Sequence, residues 1–177
     1  MHDLRAIADR VDVLALSLRR LRQQGPRFRI QHAFWQPGTG GCKPGEEIAS
    51  VSLLFRNRLF HVPLSAAQRI LFDFLARQKS TPRSAKQIAV GIRHSIFHRE
   101  HGRNTGILLV RKFAASTVKE YIKRLRQSLA ICFDEAGLRM DPKRVVVSQQ
   151  TTGNEVHYLL RARCEWLHVE MNSKGLL

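Results

Sequence analysis

Two groups of residues in this sequence have types and spacings that suit chemistry. His94, His98 and His101 stand as H-x3-H-x2-H, with Glu100 before the last and Asn104 close behind. On a helix that spacing brings two imidazoles to one face, as a pair of zinc ligands requires. With Asn104 they make a loose HNH-like cluster, and a metal-dependent nuclease is what such a cluster would serve. The carboxylates nearby are too few for a two-metal phosphodiester site. Surface histidines that titrate near neutrality explain the pattern without a metal. No metal, no cofactor and no enzymatic activity are therefore expected.

The second group is TVKEYIKRLRQSL, from Thr117 to Leu129. Val118, Ile122, Leu125 and Leu129 are spaced by four, three and four, which stacks them into one apolar stripe on a helix. Thr117, Lys119, Glu120, Lys123, Arg124 and Gln127 fall mostly off that stripe. One side is built for a core and the other offers cations and amides. A solvated charged face is the plain reading of any single helix of this kind. The composition argues for more. Thirty Lys and Arg stand against 14 Asp and Glu, a net charge of +16, which implies a polyanionic partner, nucleic acid before an anionic membrane.

Other classes are excluded more simply. No apolar run is long enough to span a bilayer, and the N-terminus MHDLRAIADR lacks a signal-peptide core. Cys42, Cys132 and Cys164 are odd in number and widely spaced, with no CxxC pair. Neither a zinc ribbon nor a disulfide framework is indicated, and a reducing cytosol fits. Lys43 is followed by Pro44, so the glycines around it do not form a phosphate-binding loop.

The elements that must position the basic helix read as follows. Leu4, Ile7, Val11, Leu14, Leu18 and Leu21 repeat at alternating spacings of three and four. That is a coiled-coil pattern suited to dimerisation or to packing within the chain. Gly25-Pro26 ends that helix. Phe28 to Trp35 alternates as a strand, and Gln36 to Glu47 is a Gly/Pro-rich loop. IASVSLLFRN and RLFHVPL read as two strands joined at Asn57-Arg58. A helix capped by Ser65 follows, with Ile70, Leu71, Phe74 and Leu75 inward. A short helix begins near Ser84, with Ile88, Ala89 and Ile92 inward. An irregular connector runs from about Arg93 to Lys112, and the third helix from about Ala114 to Ala136. Lys143 to Gln150 is a strand, TTGNE a turn at Gly153, and VHYLLRARCEWLHV a single returning strand. The expected organisation is an amphipathic helix over 1–25, a strand and loop over 26–47, a domain over 48–169, and a tail over 170–177.

This order, with its motifs, resembles the OmpR/PhoB-type winged-helix DNA-binding domain over residues 48 to 165. VPLSAAQRILFDFLA matches the first helix of that family, TVKEYIKRLRQSL its recognition helix, and VVVSQQTTGNEVHYLL its terminal hairpin. The resemblance implies an α+β winged helix-turn-helix: strand meander, three helices and a C-terminal hairpin wing, here preceded by the amphipathic helix. It implies that Lys119, Glu120, Lys123 and Arg124 face base edges, with Ser116 and Gln127 on the same helix. Thr117, Tyr121 and Arg126 match positions that hold phosphates. Lys143, Arg144, Thr151, Thr152 and Asn154 would serve the wing. Arg93, Arg103, Arg111 and Lys112 in the connector would meet the DNA backbone or RNA polymerase. The residues ahead of the match are too few for the family's receiver domain, so phosphorelay control is not expected. The reading is a cytoplasmic, nucleoid-associated, sequence-specific transcription regulator that binds double-stranded DNA as a homodimer. The alternative is a non-specific DNA-gripping component of a replication or mobile-element assembly.

Overall fold

The computed structural model describes residues 26–35, 45–79, 81–99, 113–151 and 153–171. The heptad segment from Leu4 to Leu21, and with it the expected dimerising helix, lies outside these residues, as does the tail beyond Met171. The fold is α+β, with three helices and two sheets among the described residues.

The larger sheet has the order β3-β2-β1-β7, built from β1 (Arg27–Trp35), β2 (Gly45–Phe55), β3 (Arg58–His61) and β7 (Arg163–Met171). Alternation along β1 sends Phe28, Ile30 and His32 into the core and leaves Arg27, Arg29 and Gln31 on the other face. In β2 the register against β1 skips Ala49, since Gln31 pairs with Ser50 and His32 with Ile48. This bulge lets Ile48 and Val51, three positions apart, both be buried. The loop expected over 36–47 thus ends early, because 45–47 are already paired to β1. The boundary drawn between 47 and 48 falls inside β2.

The β2–β3 turn is formed by Arg56 and Asn57, at φ of 50° and 60°. Two left-handed residues give the tight turn whose twist suits a hairpin. The turn therefore sits one residue before the expected Asn57-Arg58.

Helix α1 (Ala66–Arg77) opens on a capping box: Ser65 Oγ accepts from the Gln68 amide, and Gln68 Oε1 accepts from the Ser65 amide. Its buried face is Ala67, Gln68, Leu71, Phe72, Asp73 and Leu75. Ile70 and Phe74, expected inward, are only half buried. The helix is rotated because it lies on the large sheet, where Phe72 meets Phe28 edge-on at 5.1 Å. Strand β4 (Arg83–Ser84) and helix α2 (Ala85–Arg99) follow, with Ser84 and Gln87 forming a second reciprocal cap. Ile88, Ala89 and Ile92 are buried as expected. The helix extends well past Arg93, so residues 93–99 are helical rather than part of an irregular connector. A Cβ at Gly91 would come within 2.6 Å of the Phe74 ring, so any larger residue there would have to push that ring aside.

Helix α3 (Ala115–Glu135) is followed by a 3-10 turn at Pro142–Arg144 and by strands β5 (Val146–Gln150) and β6 (Val156–Leu160). These pair as a hairpin and, with β4, form the second sheet in the order β4-β6-β5. The expected single strand from Val156 to Val169 is two strands. The chain breaks step at Arg161-Ala162, and β7 leaves the hairpin to pair parallel with β1 in the other sheet. One apolar cluster joins Phe28 of β1, Leu71 of α1, Ile88 of α2, Leu125 of α3 and Leu160 of β6, so both sheets and all three helices share a core.

Candidate nucleic-acid interface

Helix α3 separates its two sides cleanly. Val118, Ile122, Leu125 and Leu129 are buried, together with Cys132 and Phe133 one turn further on. Six such side chains contribute on the order of ~10 kcal/mol of apolar burial, which holds the helix axis rigidly. Ser116, Lys119, Glu120, Lys123, Arg124 and Gln127 are all exposed on the opposite side. All four residues of the expected stripe are buried, and the structure adds Cys132 and Phe133, which the sequence reading did not include.

The N-terminus of α3 adds to this face. Its N-cap is Ala114, which makes no side-chain cap, and no acidic residue stands in the first turn. Among the described residues neither a side-chain cap nor a first-turn carboxylate meets these amides and the positive end of the helix dipole, a setting that favours an anion. Within the face, Arg124 Nε donates to Glu120 Oε1 at 2.9 Å, one helical turn away. Both groups are largely exposed, so the pair contributes little to stability but holds the guanidinium pointing along the helix.

Not every expected contact residue is placed for this. Tyr121 is half buried with its ring 5.6 Å from that of Phe113, and Thr117 is half buried. Arg126 is drawn into the fold: Nε and Nη2 donate to the Val146 carbonyl at 3.0 and 2.8 Å, and Nη2 also to Ser148 Oγ. It fastens strand β5 to the flank of α3. Replacing Arg126 with Met keeps the aliphatic packing but orphans the Val146 carbonyl. We expect a loss of ~1–3 kcal/mol in denaturant unfolding, with faster amide exchange in β5; unchanged stability and exchange would show the clamp to be idle.

The hairpin stands beside α3 through that clamp. At its tip Thr151 donates twice to the Glu155 carbonyl, from its amide and its hydroxyl, both at 3.0 Å. Gln150 Nε2 donates to Asn154 Oδ1 at 3.0 Å. Asn154 takes a φ of 60° and Gly153 one of 138°, which glycine supplies without strain. Thr152 lies outside the described residues. Lys143 and Arg144 are exposed, but on the 3-10 turn rather than on the strand expected there; Asp141 caps that turn through the Lys143 amide.

Of the connector cations, Arg93 lies on α2, exposed, with Nε donating to the Ala89 carbonyl. Arg103, Arg111 and Lys112 lie outside the described residues. So does His101, whereas His94 and His98 fall within α2. Among the described residues no three His, Cys, Asp or Glu side chains gather to hold a metal. Burial pushes the Cys132 thiol up to about 11 and the Cys164 thiol to about 12, so neither is a thiolate at neutral pH.

Two features escaped the sequence reading. Arg83 and Lys86 bring further cations beside the hairpin, because β4 pairs with β6 at Tyr158 and His157; the basic TPRSAK segment was the available signal. The other is a buried polar cluster that ties β1, α1 and β7 together. Asp73, 3% exposed, accepts from Trp166 Nε1 and from Arg77 Nε, each at 2.8 Å, and lies 3.5 Å from Nε2 of the fully buried His32. The Arg77 guanidinium also sits 5.7 Å from the centre of the Trp166 ring.

No family model, no curated protein and no solved structure matches this chain. No helix among the described residues is long and apolar enough to cross a membrane.

Proposed function

We propose that this chain is a DNA-binding regulator of the winged-helix type, with α3 entering the major groove and the β5–β6 hairpin lying beside it. The single observation that carries this reading is the exposed face of α3, with Lys119, Lys123 and Arg124 opposite a fully buried stripe. A major groove admits one helix, and that helix needs a rigid back and a polar front. The resemblance of TVKEYIKRLRQSL to the OmpR/PhoB recognition helix supports the same role, as does the net charge of +16. In this reading no catalysis occurs, phosphates supply most of the affinity, and α3 supplies sequence preference. Two copies meet paired half-sites in the cytoplasm, at the nucleoid, with RNA polymerase as a further partner.

The test is selection of bound fragments from a random DNA library at one fixed salt near physiological, with Arg124→Ala in parallel. A motif of two half-sites is expected, and Arg124→Ala should relax one position in each by ~1–3 kcal/mol, the worth of a bidentate arginine–guanine contact. Uniform recovery with no motif would replace this reading with a second one, a DNA-gripping component without sequence preference. One observation favours that second reading: Glu120 already holds the Nε of Arg124.

A further inference from the structure

We propose that the cleft between α1 and α2 is a binding site for a small organic anion, one acidic group carried on an apolar body. The cleft has a volume of about 560 Å³ and is lined by described residues of both helices and of β4. Sites for organic ligands enclose about 300–1,000 Å³, mostly apolar, with a few placed polar groups.

Its floor is apolar. The half-buried ring of Phe74 lies against Gly91, where a Cβ would come within 2.6 Å of it. Beside them Val90 is 51% exposed, although its helix neighbours Ile88, Ala89 and Ile92 are buried. Phe74 and Val90 thus present apolar surface inside a concavity, where a ligand's body can cover it.

The polar groups of the cleft are already tethered. Arg83 Nε donates to Gln78 Oε1 at 3.2 Å, and Gln87 Oε1 accepts from the Ser84 amide at 2.9 Å. Side chains held in this way lose less freedom when a ligand binds. Lys86, exposed, is a second cation. No Asp or Glu is among the described residues that line the cleft. Glu155 does act on Lys86, but its carboxyl is held below the usual range first by His157 and then by Ser84, and it is not a lining residue. The cleft therefore pairs an apolar floor with two cations.

Charge selects the occupant. A second copy, at +16, is repelled. The segments of this chain outside the described residues do not match either: Lys and Arg outnumber Asp and Glu by five to three over 1–25 and by three to one over 100–112. A duplex backbone offers phosphate but no apolar body to cover Phe74 and Val90. A separate small anion answers both halves of the cleft.

The test involves no DNA-binding readout, so its outcome is independent of the role of α3. The full chain is titrated at about physiological salt with 8-anilinonaphthalene-1-sulfonate, an anion on an aromatic body, followed by its fluorescence. One-to-one binding is expected, and the uncharged N-phenyl-1-naphthylamine should bind about tenfold more weakly or worse. Arg83→Gln/Lys86→Gln should weaken the anion by about tenfold or more. Val90→Trp, which fills the cleft from an exposed position, should abolish binding with circular dichroism and thermal midpoint unchanged. Arg58→Gln/Arg163→Gln, two exposed cations of the larger sheet, should change it less than about twofold. No binding by the wild type, equal losses in the two charge pairs, or full binding by Val90→Trp would each overturn the proposal. So would displacement of the probe by a short DNA duplex, which would make the cleft part of a nucleic-acid surface.

Discussion

Asp73→Ala is expected to destabilise the protein by ~3 kcal/mol and to lower its thermal midpoint by about 6–12 °C. No other single side-chain removal discussed above has so large a predicted effect. The carboxylate is buried on α1 and is met from two strands of the sheet, by His32 of β1 and Trp166 of β7, and by Arg77 from its own helix. Truncation leaves the imidazole of His32, 0% exposed, without the anion beside it. The indole N–H and the guanidinium fare better, because both side chains reach solvent. Hence Arg77→Met should cost only ~1 kcal/mol. Denaturant unfolding of the two variants separates these terms. A loss below ~1 kcal/mol for Asp73→Ala would mean that the helix docks on the sheet through apolar contacts alone.

The same cluster sets an acid limit. Burial pulls the Asp73 carboxyl up, but the hydrogen bonds from His32, Arg77 and Trp166 outweigh it and bring the group from 3.8 down to about 2. The folded state therefore favours the ionised form more than the unfolded state does. Its contribution, ~2 kcal/mol by linkage, is complete above the unfolded value near 4 and is lost as pH falls from there through about 2. Asp73→Asn should flatten this part of the stability–pH curve. An identical acid limb in wild type and variant would place the acid sensitivity elsewhere.

Affinity for duplex DNA is expected to fall about a thousandfold between about 50 mM and about 200 mM salt. The magnitude follows from counting cations on the proposed surface. Lys119, Lys123 and Arg124 lie on α3, Lys143 and Arg144 on the turn before the hairpin, and Arg93 on α2, and all are exposed. If each neutralises one phosphate, the slope of log K against log salt is about −5, at ~0.9 per contact. Fluorescence anisotropy with a labelled duplex, titrated at four or more salt concentrations, gives the slope directly. A slope shallower than about −2 would mean that most of these cations stay in solvent when DNA binds.

Much of this fold was legible where the signal is local. The stripe on α3, the Ser65 cap, the inward positions of α2 and the turn at Gly153 all follow from spacings of a few residues. What was missed is non-local. Nothing in VHYLLRARCEWLHV announces that its second half abandons the hairpin for a parallel pairing with β1, because the partners are some 136 residues apart. The rotation of α1 has the same origin. Apolar spacing alone made Ile70 and Phe74 core residues; the sheet beneath, with Trp166 reaching for Asp73, turned that face aside. A carboxylate between two phenylalanines in LFDF reads as a solvent marker until His32, Arg77 and Trp166 are placed around it.

The candidate site divides along the same line. Exposure of Lys119, Lys123 and Arg124 followed from the helix period. The capture of Arg126 did not, since its acceptors lie 20 and 22 residues away on β5 and only the folded hairpin brings them near. Lys143 and Arg144 read as strand residues because they precede three valines. Asp141-Pro142 turned them into a capped 3-10 turn instead, a strong local punctuation that outweighed the β-branched run behind it.

A basic chain binds DNA to some degree by charge alone, so the proposed role of α3 requires that this helix, and not net charge, carries the binding. The most direct measurement compares two charge-matched triple variants on one duplex at one fixed salt. The first is Lys119→Ala/Lys123→Ala/Arg124→Ala on α3. The second is Arg58→Gln/Lys79→Asn/Arg139→Gln, three exposed cations away from that face. About a hundredfold loss or more is expected for the first, and less than about threefold for the second, both proteins folded. Equal losses in the two would contradict it, and would leave net charge, not the helix, as the source of binding.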